Sequence, residues 1–221
     1  MHGGDVGEEN ARANAHHVRQ LQRLAARLAG PSTHWPRLWL FTDPQRLADP
    51  RPIMAAAAPG LGIVFRHFGA GNAAEIGAEL RRCARRHGHL FFIGEDWRLA
   101  AALRADGVHL PERCAHRAGA LARAFPHWRI SAAAHSPRAI RRAVAFGAQA
   151  LFVSPVFASN SRSAGQAIGE SRLAAWTKAY AQDLPVFALG GVNTRTAPRL
   201  INTGLAGFAA IEAFAKSVDI G

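Results

Sequence analysis

"RISAAAHSPRAIRRAVAFGAQALFVSP" (residues 129–155) is the stretch on which the fold turns. Two short, largely apolar runs, 129–134 and 150–155, flank a segment opened by Ser136 and Pro137, in which Arg138, Arg141 and Arg142 recur at helical spacing on an outer face. A serine at a helix start accepts a hydrogen bond from the first N–H groups, and proline fits the first turn, where no N–H is needed. Runs that stay apolar instead of alternating are what parallel strands covered on both faces require. The stretch therefore reads as a strand, a helix and a second strand.

Working outward, the same unit recurs from Arg37 onward. Short apolar runs fall at 38–42, 62–68, 89–94, 107–110, 129–134, 150–155, 185–191 and 207–214, with the period of roughly 20 to 30 residues typical of strand–helix repeats. Helical patterns such as "AAEIGAELRRCARRHG" (73–88) and "ESRLAAWTKAYAQ" (170–182) lie between them. About eight units packed this tightly describe an α/β chain folded as a (β/α)8 barrel better than an open doubly wound sheet. The first unit is weak, because "RPIMAAAAPG" (51–60) leaves room only for a short helix between prolines. Ahead of the barrel, "HHVRQLQRLAARLAG" (16–30) spaces Val18, Leu21, Leu24, Ala25 and Leu28 as one apolar face, an extra helix ended by Gly30 and Pro31. It is expected over the barrel bottom or against a neighbour. Residues 1–34 are read as an N-terminal extension and 35–221 as the barrel domain.

Composition narrows the function classes. A chain of 221 residues with 49% hydrophobic content is enough for one sizeable core. No apolar segment approaches the roughly 20 residues a membrane helix needs, and the start of the chain is polar and acidic, so a cytoplasmic, non-membrane protein is expected. Cys83 and Cys114 are the two cysteines and match neither a disulfide framework nor zinc spacing. The net charge of +12 is nearly all arginine. Such a field suits nucleic acid or phosphorylated metabolites, but its placement at helical spacing, without interleaved aromatic residues for base stacking, reads first as solvated helix faces and argues against nucleic acid.

In a barrel, function gathers where strands end. Paired Gly190 and Gly191 after the seventh run let bare N–H groups approach an anion, although a tight turn alone would also ask for glycine. Glu212 beyond the eighth run would repel a phosphate unless it turned away or were paired. The loop holding Ser159, Asn160, Ser161 and Arg162 offers hydroxyl and guanidinium donors, and His135 stands where an imidazole can exchange a proton. Arg66 is expected to face the barrel mouth, since a buried unpaired charge is costly. His67 and His109 read as packing or hydrogen-bonding residues. Adjacent His16 and His17 diverge on a helix and are not a ligand pair. Glu95 and Asp96, just past the third run, are open to two readings, metal ligand or helix cap.

"LWLFTD", "FRHF", "ADGVHLPE", "AAHSPRAIRRAVAFGA", "SPVFASNSR", "VFALGGV" and "GLAGFAAIEAF" come in an order and spacing that resemble the thiamine-phosphate synthase/TenI family over roughly Arg37 to Ala215. The resemblance implies a TIM barrel and either of two reactions. Synthase members join a pyrimidine diphosphate to a thiazole phosphate with magnesium; TenI-type members aromatise the thiazole phosphate by moving a proton, without metal. Position by position, the diphosphate triad of glutamine, arginine and lysine falls on Val64, Arg66 and Phe68. An asparagine and a magnesium-binding aspartate fall on Gly94 and Glu95, the second magnesium aspartate on Cys114, and a serine on Ala133. The thiazole-phosphate half keeps hydroxyls at Ser159 and Ser161 around Asn160, a cation at Arg162, the turn at Gly190 and Gly191, and the backbone donors at Ile211 and Glu212, while the tautomerase histidine falls on His135. That unequal retention favours a TenI-like thiazole tautomerase in thiamine biosynthesis that binds a phosphorylated thiazole and needs no cofactor. The alternatives are a thiamine-phosphate synthase, with magnesium, and a noncatalytic phosphate-ligand binding or regulatory protein; a homo-oligomer is left open. On this reading Asp96 is a cap, and Glu95 and Cys114 stand at the metal positions without favouring a metal.

Overall fold

The computed structural model describes residues 5–28, 30, 34–159 and 165–215. Eight parallel strands close into a barrel in sequence order, β1 (Leu38–Phe41), β2 (Gly62–Phe65), β3 (Leu90–Gly94), β4 (Gly107–Leu110), β5 (Arg129–Ala134), β6 (Ala150–Val153), β7 (Val186–Ala188) and β8 (Gly207–Ala210), with β8 pairing back onto β1. The helices are α1 (Asp5–Ala26), α2 (Arg51–Ala56), α3 (Ala73–Arg86), α4 (Trp97–Ala102), α5 (Ala118–Ala124), α6 (Pro137–Ala145), α7 (Glu170–Tyr180) and α8 (Glu212–Ala215), and short 3-10 segments occupy Glu112–Arg117 and Ala197–Leu200.

Although the strands are apolar on both faces, the period of two persists inside them. Trp39 and Phe41 of β1, Val64 of β2, Phe92 of β3, Phe152 of β6 and Phe187 of β7 pack in one buried cluster that fills the barrel. Their neighbours, Leu38, Leu40, Ile63, Phe91, Leu151 and Val186, belong to a second cluster that packs under the helices. Trp39 opposes Gly62 in register, and a Cβ on that glycine would lie 2.3 Å from the indole, so the large residue fits because its partner has no side chain.

Six runs are shorter as strands than their apolar stretches, four of them by two residues or more. Pairing stops at Phe65, Val153, Ala188 and Ala210 because the chain then turns, with Phe68 at φ 48° and Gly190 at φ 90°, or enters α8 at Glu212. The loop ends carry the site residues. At the N-terminus α1 starts at Asp5, well before His16, and ends at Ala26, ahead of Gly30. It packs along the barrel flank against α2, α8 and the Ala197–Leu200 turn, not beneath the barrel. Gly30 is held there by backbone, since a Cβ would lie 2.0 Å from the Leu205 carbonyl oxygen. Among the described residues no helix is long and apolar enough to cross a membrane.

Candidate functional site

The inward phase of the strands continues into the mouth. Two residues beyond inward-facing Val64, Phe92 and Phe152 stand Arg66, Gly94 and Ser154. They line a cavity of about 910 Å³ that takes residues from the C-terminal ends of all eight strands.

On the β7–β8 side, Gly190 and Gly191 turn the chain at φ 90° and 65°. Both have a packing reason to be glycine, because added Cβ atoms would lie 2.8 Å from the Pro155 Cα and 2.3 Å from the Ala158 carbonyl oxygen. The same turn leaves the N–H groups of Gly190 and Gly191 without an acceptor among the described residues, and successive free N–H groups in such a turn form a concavity suited to an anion. A side cavity of about 250 Å³ opens here, lined by this turn, Ser159, Ile211, Glu212, Arg46 and His17. The acid is paired. Arg46 bridges Glu212 Oε1 at 3.6 Å and Asp43 Oδ2 at 3.2 Å, which offsets the repulsion a phosphate would meet. Asn160, Ser161 and Arg162 lie outside the described residues.

His17, set aside on sequence grounds, reaches this cavity from α1. The divergence of the histidine pair holds, since His16 is exposed while the His17 Nε2 is buried with no hydrogen-bond partner. Arg46 was missed as well; its signal is its place in the loop after β1.

Mid-cavity, Glu112 Oε2 accepts the His135 backbone N–H at 3.0 Å, and the imidazole Nδ1 lies 2.8 Å from the Ser154 carbonyl oxygen. A carbonyl only accepts, so this contact puts a proton on Nδ1 and makes Nε2 the nitrogen left to face a substrate. Beneath, His109 is buried, bonded through Nδ1 to Ser131 Oγ at 3.0 Å and edge-on to Phe41 and Phe152. Burial foremost, then the nearby Arg66 and His135, push its pKa down to about 3, so at neutral pH it is an uncharged floor.

Across the mouth, Arg66 lies between the rings of Phe41 and Phe68, 5.6 and 5.1 Å from their centroids. Its Nε donates to the Thr42 carbonyl oxygen at 2.9 Å and its Nη2 lies 3.6 Å from Asp43 Oδ2. Burial lowers its pKa to about 10 against the pull of Asp43, and it stays a cation at neutral pH. Asp96 caps α4, accepting the Leu99 N–H at 3.0 Å, with His67 Nε2 3.7 Å away; between cap and metal ligand, it is the cap. Glu95 holds a left-handed φ of 65° and its carboxylate is closed by Arg113 Nη2 at 2.5 Å to each oxygen. The buried Cys114 thiol lies 3.8 Å from Glu95 Oε1. Arg98 and Arg117 complete this cationic end.

The sequence model of the thiamine monophosphate synthase family matches residues 41–214. The chain belongs to this family. A provisionally named thiamine-phosphate synthase of Geobacter sulfurreducens is 33% identical over 82% of the chain and 88% of its own length. The thiamine-phosphate synthase of Gloeobacter violaceus is 29% identical over 84% of the chain, which spans only 54% of that longer relative. Among solved structures, the thiamine phosphate pyrophosphorylase of Pyrococcus furiosus superposes with a TM-score of 0.67 at 26% identity, covering 84% of this chain and 97% of that one.

Magnesium is the metal the family resemblance implies, and the residues at its positions do not fit it. A hard cation seeks several oxygen donors, whereas one donor here is a buried thiol and the other a carboxylate already closed by a guanidinium. Among the described residues no three His, Cys, Asp or Glu side chains converge as a metal-binding group.

Proposed function

We propose that this chain is a thiamine-phosphate synthase-type transferase, which binds a phosphorylated thiazole and a pyrimidine diphosphate and joins them with departure of diphosphate. The observation that carries the reading is the two-ended cavity. Free N–H groups at Gly190 and Gly191, with Ser159 beside them, form one anion-accepting end, and Arg66, Arg98, Arg113 and Arg117 form another across the mouth. One phosphorylated substrate needs only one such end. The names carried by the relatives support transfer over the proton shift favoured by the sequence. In this scheme the bond to the diphosphate oxygen breaks and negative charge gathers on the leaving group, where fixed positive charge stabilises the transition state. The uncharged floor at His109 and the apolar walls lower the dielectric on the inner side of that charge, while Arg113 stays open to water.

The geometry of His135 favours a second reading, thiazole tautomerase. With Nδ1–H donated to the Ser154 carbonyl, the ring presents Nε2 as the nitrogen that would act as the base. One assay separates the readings: the thiazole carboxylate phosphate is supplied with and without the pyrimidine diphosphate, and products are identified by mass. Thiamine phosphate formed only with both substrates is the expected result. Aromatised thiazole phosphate formed without the pyrimidine, and lost in His135→Ala, would replace transfer by the proton shift. Binding without either product would leave a noncatalytic phosphate-ligand protein.

A further inference from the structure

We propose that the diphosphate end of the mouth is a metal-independent subsite built from guanidinium groups, in which Arg66 and Arg113 supply the positive charge that the family draws from magnesium. The inference rests on the transferase reading and concerns how this chain, with altered residues at the metal positions, holds a diphosphate.

Three observations converge. The first is that every acid near this end is already committed. Glu95 is closed by Arg113, Asp96 caps α4 and faces His67, Asp43 is held by Arg46 and Arg66, and Glu112 accepts the His135 N–H. A cation drawing on them would compete with a cap, a salt bridge and a backbone donor for the same carboxylates, and Cys114 adds only a soft ligand.

The second is an unmet donor. The Arg66 Nη2 is buried and has no hydrogen-bond partner, its nearest carboxylate oxygen being the ion-pair contact at 3.6 Å to Asp43. A buried guanidinium N–H without an acceptor is costly, and because Arg66 lines the mouth, a small turn of its guanidinium toward a seated anion would satisfy it.

The third is that the changed residues suit this arginine. Gly94, where the resemblance implies an asparagine, leaves the path of the side chain open, since a Cβ there would lie 3.1 Å from Arg66 Cγ and 3.3 Å from the Phe65 carbonyl oxygen. Phe68, where it implies a lysine, lays its ring 5.1 Å from the guanidinium and restrains it by cation–π contact. One cation is lost from the triad, and the remaining one is clamped. Arg113, beside Cys114 on the Glu112–Arg117 turn, brings a second guanidinium to the carboxylate that would otherwise hold the metal.

The two mechanisms differ in the sign of one substitution. If Glu95 is a metal ligand, Glu95→Gln weakens diphosphate binding. If Glu95 competes with the diphosphate for Arg113, Glu95→Gln frees the guanidinium and tightens it. The experiment is calorimetric titration of the chelator-treated full chain with inorganic pyrophosphate, with and without added magnesium. The proposal expects binding in chelator that changes by less than about threefold when magnesium is added, tightening in Glu95→Gln, and about tenfold weakening in Arg113→Ala. Arg113 is largely exposed, so its truncation leaves the fold intact. Binding that requires magnesium, or weakening in Glu95→Gln, overturns the proposal, as does absence of pyrophosphate binding under both conditions. Its failure is separable from that of the transferase reading. Thiamine phosphate made only with magnesium keeps the reading and sinks the inference, whereas chelator-resistant pyrophosphate binding without product does the reverse.

Discussion

His109 shows what one side chain contributes by staying neutral. It is buried under the mouth, bonded to Ser131 and enclosed by Phe41 and Phe152, with a pKa pushed down to about 3 from 6.5, foremost by burial. In the unfolded chain the same imidazole takes up a proton as pH falls through its ordinary range. Between these two values the unfolded state binds more protons than the folded one, so stability is complete above the unfolded pKa and drains as pH falls toward the folded one. The slope from one such group reaches about 1.4 kcal/mol per pH unit. His109→Asn keeps a hydrogen-bonding side chain and removes the titration. Urea unfolding at pH 7, 5.5 and 4.5 is therefore expected to show a shallower loss of stability in the variant than in the parent chain. Equal slopes would mean that the buried ring is protonated without penalty. Arg66, two residues beyond an inward-facing strand position and clamped between two rings, keeps its charge in the same setting because Asp43 faces it.

Among the elements, α1 changes most between its sequence pattern and its place. Val18, Leu21 and Ala25 are buried as the three-to-four spacing implies, but a helix pattern does not encode which wall of the barrel its apolar face meets. The wall is the flank beside β1 and β8, and that placement carries His17 to the Gly190–Gly191 turn and to Arg46. Residues of the first helix, the loop after β1 and the turn after β7, which share no motif, come to line one cavity. The ring lines the side cavity, a small turn would bring its buried, unpartnered Nε2 to a phosphate oxygen seated there, and a single hydrogen bond of this kind contributes about 0.5–1.5 kcal/mol. His17→Ala is expected to weaken binding of a thiazole phosphate by roughly twofold to tenfold, with the thermal midpoint little changed. Unaltered affinity in a calorimetric titration would reduce His17 to a packing residue of the helix.

At the scale of the whole molecule, the barrel was legible and the site only partly so, for different physical reasons. Strand–helix repeats are local, so eight apolar runs and the caps at Ser136 and Asp96 could be read along the chain, and both residues cap as expected by accepting the Ala139 and Leu99 N–H groups. The inward phase that ends in Arg66, Gly94 and Ser154 was latent in the same runs. The pairs Arg113–Glu95 and Arg46–Glu212 were not legible, because each joins loops whose approach exists only once the barrel closes. Closure in turn depends on filling the interior. Trp39 fills the space left by Gly62, meets Phe92 and Phe152 edge-on at 5.0 and 5.3 Å, and donates its indole N–H to the Pro36 carbonyl oxygen at 2.7 Å. Removing it leaves a void that neighbouring strands, fixed by pairing on both sides, cannot collapse to fill. Trp39→Ala is expected to cost about 3–5 kcal/mol, as large-to-small aromatic changes in cores do, and to lower the thermal midpoint by roughly 6–20 °C for a domain of this size. Pyrophosphate affinity measured well below that midpoint should stay near that of the parent chain, because the mouth is built from loop residues above the Trp39 layer. A stability loss under about 1 kcal/mol would show instead that the β-strand pairing and outer helix contacts hold the barrel closed without its central ring.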